Sequence, residues 1–136
     1  MRPTVIMTKP PHTHQTVIKA TQVLELKTLY IEANEDGSMS LDSLRNRLSE
    51  LKHKSHMNLI VNVNFGTHFG AAFDDVVEIR KVLDEVKNED WKYTVHMDAV
   101  FYGPTLPILK QFGEKTNLKE LGVDTVSIGL WKFLGV

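Results

Sequence analysis

Met57-Asn58-Leu59-Ile60-Val61-Asn62-Val63 is the stretch on which the fold turns. It is short, near-continuously apolar and rich in branched side chains, the pattern of a strand covered on both faces in a parallel sheet. Towards the N-terminus, Val5-Ile6-Met7 is a shorter apolar run closed by Lys9-Pro10-Pro11. Leu29-Tyr30-Ile31 is another, ended by the turn-forming cluster Asn34-Glu35-Asp36-Gly37-Ser38. Towards the C-terminus, Tyr93-Thr94-Val95-His96-Met97 and Asp124-Thr125-Val126-Ser127-Ile128 also read as strands, with Asp98 closing the first. Between the strands the period changes. Val17, Ile18, Ala20, Thr21 and Leu24 fall at helical spacing after a start at Thr13 or His14. Leu41, Leu44, Leu48 and Leu51 form a stripe that predicts a helix over 41–53, with Ser40 as N-cap and Asp42 in the first turn. Asp74 or Asp75 can cap a third helix carrying Val76, Val77, Ile79, Val82, Leu83 and Val86. Gly103-Pro104 breaks the chain before a mixed stretch around Leu106, Leu109 and Phe112. Strand and helix alternate with connections too long for hairpins, so the expected class is α/β: a mostly parallel sheet with flanking helices.

Composition bounds the function. The chain has 136 residues, 42% of them hydrophobic, and 16 Lys+Arg against 17 Asp+Glu. That is enough for one core, since a domain near this length buries roughly 68–70% of its unfolded surface. With a formal net charge of −1, no basic field points to nucleic acid. Cysteine is absent, which removes disulfides, cysteine-ligated metals and thiol nucleophiles together. No apolar run approaches the roughly 20 residues that span a bilayer, and Met1 to Thr8 lacks the long apolar stretch of a secretory leader. A cytoplasmic protein with no membrane or nucleic-acid partner is expected.

In open α/β sheets ligands gather at the carboxyl ends of the strands. Thr8, His12 and His14 follow the first strand, Asn64, Thr67 and His68 the third, Asp98 the fourth, and Lys132 the last. Several chemistries use such residues. His12-x-His14 and His96-x-Asp98 each put two potential metal ligands on one face if extended, although six histidines scattered over loops need no metal, and none is assigned. His53 and His56 read as a solvated helix end. Nucleophilic hydrolysis lacks a Gly-x-Ser-x-Gly elbow, and nucleotide binding lacks both Gly-x-Gly-x-x-Gly and a P-loop. A lysine that holds an aldehyde cofactor, a carboxylate for its pyridinium nitrogen and a ring to stack on it suit Lys132, Asp98 and His14 better.

These segments, in this order, resemble the group II pyridoxal-phosphate-dependent amino acid decarboxylases, and the histidine and plant serine decarboxylase branch in particular. His14-Gln15-Thr16-Val17-Ile18-Lys19-Ala20 is similar to the family's His-x-Ser-x-x-Lys-Ala helix start, whose histidine stacks on the pyridoxal ring. Gly37-Ser38-Met39 followed by Leu44 resembles Gly-x-Met-Asp-x-x-x-Leu, with Ser40 in place of the capping aspartate. Asn62 to Asp75 resembles the Gly-Thr-Thr-x-x-Gly-Ala-x-Asp-Asp loop and carries Thr67. Val95-His96-Met97-Asp98-Ala99 is similar to His-x-Asp-Ala, in which the aspartate pairs with the pyridine nitrogen and the alanine packs on the ring. Asp124 to Gly135 resembles Asp-Ser-x-x-x-Ser-Gly-His-Lys-Phe-x-Gly, which ends on the Schiff-base lysine, here Lys132. Departures fall at Gly129, Leu130 and Trp131, where the family has serine, glycine and histidine, and at His68, where it has a second threonine.

The resemblance implies part of the large domain of the aspartate-aminotransferase-like fold (fold type I) over 1–136. The phosphate-loop region that precedes it in the family and the small C-terminal domain are expected to lie outside. It implies pyridoxal 5'-phosphate as cofactor, with Lys132, Asp98 and His14 catalytic, and with Thr67 and Ala99 also on the cofactor. It further implies an amino acid substrate, carboxy-lyase activity, and a homodimer or higher self-association. Two alternatives stand beside it: an inactive remnant of the same family, and a metal-dependent hydrolase using His12, His14 and Asp98.

Overall fold

In the computed structural model, residues 2–109 and 117–134 are described; Phe112 and Gly135 of the sequence reading lie outside them. The chain alternates as expected: β1 (Thr4–Thr8), α1 (Gln15–Val23), β2 (Lys27–Ile31), α2 (Leu41–Ser49), β3 (Met57–Asn64), α3 (Val76–Val86) and β4 (Trp91–Asp98). A single 3-10 turn, Gly103–Thr105, then leads into α4 (Leu106–Leu109), followed by α5 (Leu118–Leu121), β5 (Thr125–Ser127) and α6 (Leu130–Leu134). The five strands form one sheet in the order β2-β1-β3-β4-β5, and each neighbouring pair is parallel. The order reverses between β1 and β3: the chain first winds outward to β2, then returns to build the other half. Such a switch point leaves a crevice at the strand ends, because the two flanking loops leave in opposite directions.

The two faces of the sheet differ. Alternation sends Ile6, Leu29, Ile31, Leu59, Val61, Val63, Val95 and Met97 to one side, where α2 and α3 cover them with Leu44, Leu48, Ile79 and Leu83. All of these are buried, and they make the core. The other face carries Val5, Ile60, Asn62, Asn64, His96, Asp98, Thr125 and Ser127 in register. Only α1 among the long helices stands over it, and α1 buries Thr21 alone. A cleft of about 900 Å³ separates this helix from the sheet. The expectation that β3 is covered on both faces holds fully on the core side and in part on the other, where Asn62 and Asn64 are buried but Asn58 is exposed and Ile60 half-buried.

Capping explains the helix starts. Ser40 Oγ accepts from Ser43 N at 3.2 Å, and Asp75 Oδ1 accepts from Glu78 N at 3.0 Å. The second helix is shorter than the 41–53 expected. It closes at Ser49, and Leu51 reaches its place through tighter turns, with Leu51 N bonded to Leu48 O at 3.0 Å and Lys52 N to Ser49 O at 3.2 Å.

Candidate active site

The site is built from the carboxyl ends of β1, β3, β4 and β5. After β1, His14 caps α1: its Nδ1 accepts from Thr16 N at 3.3 Å and contacts Thr16 Oγ1 at 2.8 Å. The imidazole is exposed, on the cleft wall. After β3, Gly66 has φ +87, and a side chain there would run into the Tyr102 ring. The loop beyond it folds back on itself. Thr67 Oγ1 accepts from Ala72 N at 3.0 Å, and Gly66 N donates to Ala72 O at 3.0 Å. Buried Thr67 thus fastens the loop while lining the cleft.

Asp74 anchors this end of the sheet. Its Oδ1 accepts from Met39 N at 2.6 Å, and its Oδ2 accepts from Asn64 N at 2.6 Å and Asn64 Nδ2 at 3.1 Å. Burial pushes its carboxyl above the ordinary value, against the pull of these three donors. Asp74 is therefore a brace between three segments and not a helix cap; that role belongs to Asp75 alone.

At the end of β4, half-buried Asp98 stands beside Asn64 of β3 and Ser127 of β5 in register. Its Oδ1 lies 3.3 Å from Val100 N and 3.4 Å from Ser127 Oγ. One rung deeper, His96 Nδ1 meets Thr125 Oγ1 at 2.8 Å. Lys132, on α6, is exposed, with Nζ 3.7 Å from the centroid of the Phe101 ring. His14, Thr67, Asp98 and Lys132 all line the same cleft.

The family model for the pyridoxal-dependent decarboxylase conserved domain matches residues 2–128. The chain belongs to that family. Among its relatives, rice serine decarboxylase 2 (Oryza sativa subsp. japonica) is 30% identical over 122 residues, covering 90% of this chain and 25% of the relative. Histidine decarboxylase of Morganella morganii is 30% identical over 125 residues, covering 90% and 31%. Mouse CSAD in apo form superposes with a TM-score of 0.76 at 20% identity, covering 99% of this chain and 27% of that one, which shows the fold. The chain thus spans about a quarter to a third of the length of these three proteins.

Pyridoxal phosphate is the cofactor of this decarboxylase family, and the cleft can be tested against it. A pyridine ring needs apolar walls, and Val17, Ile18 and Val100 supply them. Its nitrogen needs an acceptor, its aldehyde an amine, and its face a flat partner; Asp98, Lys132 and His14 are of these kinds. Asn62, 1% exposed on the cleft floor, has no partner for either amide atom among the described residues, and neither has the Thr13 hydroxyl. Orphaned buried polar groups mark places where a ligand or ordered water belongs. The residues fit the ring and aldehyde. Gly129 brings no hydroxyl at the position where the sequence resemblance implies a phosphate-holding serine. A side chain at that glycine would meet Val100 Cγ1 at 2.6 Å.

One expected site residue stands elsewhere. Ala99 is fully buried in the core and packs at the Gly103 backbone, off the cleft wall. Alternation along the strand is the reason: Asp98 and Val100 share a face, and Ala99 takes the other. Val100 is on the wall instead, a placement the period of two already implied. Ser127, Phe101 and Asn62 were not singled out by sequence, because only the register and the loop path bring them to the site. Among the described residues no group of three or more His, Asp or Glu can hold a metal ion, so the hydrolase alternative lacks its ligand set.

Proposed function

We propose that this chain carries the lysine, aspartate and histidine of a pyridoxal-phosphate-dependent amino acid decarboxylase, as part of the large domain of a fold type I enzyme. The observation that carries it is the convergence of His14, Thr67, Asp98 and Lys132 on one cleft at the switch point of the sheet. Pyridoxal phosphate, when bound, supplies an electron sink for the pair left behind by a departing carboxylate. Asp98 would offer its carboxyl oxygens at the strand end as the acceptor for a protonated ring nitrogen. Lys132 would supply the amine that holds the aldehyde, and the Phe101 face keeps its Nζ over the cleft mouth. His14, fixed by its cap on α1, offers an imidazole plane to the ring. Thr67 keeps the loop closed beneath. Relatives named for histidine and serine support an amino acid as the substrate class, and self-association, as a homodimer or a higher assembly, belongs to the same reading.

The purified chain should be mixed with pyridoxal phosphate, its visible absorbance followed, and the complex reduced with borohydride. The expected result is a pyridoxyl mass on the peptide containing Lys132, lost in Lys132→Ala. Carbon dioxide release from histidine or serine would then establish activity. A second reading, an inactive remnant of the family, is favoured by Gly129; labelled Lys132 with no carbon dioxide from either amino acid would select it. An unlabelled Lys132 at saturating cofactor would sink both readings of the lysine.

A further inference from the structure

Asn64 and Asp98 end β3 and β4, pair in register, and both line the cleft. The orientation of the Asn64 amide is decided by what lies behind it. Asp74 Oδ2 receives both Asn64 N and Asn64 Nδ2, at 2.6 and 3.1 Å, while its Oδ1 is taken by Met39 N. A carboxylate only accepts, so the NH2 of Asn64 must face Asp74, and the carbonyl oxygen is the end of the planar amide left for the cleft. Asp98 is also an acceptor. Its Oδ1 has two long contacts, and among the described residues none donates to its Oδ2. Two acceptors on adjacent strand ends repel unless a donor sits between them. Apolar Val17, Ile18, Val100 and Phe101 line the same cleft, so it can seat the donor on a flat, largely apolar molecule.

We propose that Asn64 is a second hydrogen-bond acceptor, beside Asp98, for the protonated ring nitrogen of a pyridine ligand, with Asp74 the positioning residue that turns its amide. This rests on the reading of the cleft as a pyridoxal site, but it concerns the ring nitrogen and not the lysine. It also gives Asp74 a part in binding beyond its brace: an Asp74 that could donate would let the Asn64 amide turn over and present N–H groups to the ring instead.

Pyridoxine tests this separately from Lys132, because it keeps the ring nitrogen but has no aldehyde and no phosphate. In the wild-type chain, the side-chain amide NMR signals of Asn64 should shift saturably with pyridoxine and stay still with benzyl alcohol, which has no ring nitrogen. Asn64→Leu should weaken pyridoxine roughly tenfold, the worth of one hydrogen bond, and lower the ring-nitrogen pKa read from the ligand's ultraviolet absorbance. Asn64→Thr should restore both, since a hydroxyl can donate to Asp74 and still accept; Asp74→Asn should reproduce the pKa drop. If Asn64→Leu does not fold, the wild-type NMR result decides. Motionless Asn64 signals at the highest pyridoxine concentration, or unchanged affinity and ring pKa in folded Asn64→Leu, overturn the proposal. Pyridoxal labelling of Lys132 with pyridoxine indifferent to Asn64 would leave the decarboxylase reading standing alone. Asn64-dependent pyridoxine binding with Lys132 unlabelled would do the reverse.

Discussion

Asp74 and its neighbour Asp75 look alike as a pair before a helix, yet one caps and the other braces. Asp75 bonds three residues ahead to Glu78 N, a local contact that spacing makes readable. Asp74 bonds back to Asn64 and across to Met39, a separation of 35 residues that no local pattern announces. Removing it as Asp74→Ala leaves two backbone N–H groups buried without partners, which should cost about 3 kcal/mol in urea unfolding. Its titration has a definite sign. The folded state holds the Asp74 proton more tightly than the ordinary value of 3.8 that the unfolded chain approaches. Stability from this group is therefore fully present below 3.8 and falls as pH rises through the raised folded value. Asp74→Asn should flatten that stretch of the curve, read as the urea midpoint at a series of acidic pH values. A slope unchanged by the substitution would assign the dependence to other carboxyls.

At the scale of elements, most of the pattern was legible, because each strand and long helix has its own period. The Met57–Val63 run, the Leu41-Leu44-Leu48 stripe and the Val76–Val86 stripe all lie where expected. What was not legible has a common cause. Leu51 continues the apolar stripe of α2, but a period cannot distinguish a last helical turn from tighter turns that half-bury the same side chain. Likewise α1 shows a helical pattern without a matching wall: Val17 and Ile18 are half-buried against the cleft, and only Thr21 is buried. Caps separate the helices energetically. Ser40→Ala and Asp75→Ala should each destabilise by about 1 kcal/mol, since each leaves one N–H of a first turn without its acceptor. The two sites are not bonded to each other, so their effects should add within about 0.5 kcal/mol in the double variant. A clearly larger sum in denaturant titration would mean that α2 and α3, which pack together, fail as one unit.

For the whole molecule, the parallel class followed from alternation, but the order β2-β1-β3-β4-β5 did not. Nothing local says that the chain returns past β1 after β2, and it is this return that sets His14 and Thr67 on the two sides of one crevice. The same topology leaves the sheet unequal. One face is sealed by α2 and α3, whereas the other is a cleft whose helix, α1, ends in Val23 and Leu24 at 82% and 59% exposure. Apolar surface at the rim of an apolar cleft favours association with a like surface, because water is released from both copies at once. Self-association through this face should therefore depend on protein concentration and persist in salt, as burial of apolar area does and surface ion pairs do not. Light scattering over a concentration series should show species heavier than one chain. Val23→Lys with Leu24→Lys should return the average mass towards a single chain, because a lysine at the rim must be desolvated to be buried. These positions lie at the far end of α1 from His14, so pyridoxal labelling of Lys132 should be retained in the double variant. A wild-type chain that scatters as a monomer at every concentration would rule this face out as a contact, and an oligomer indifferent to both lysines would move the contact to the exposed Phe69 and Trp131 rim.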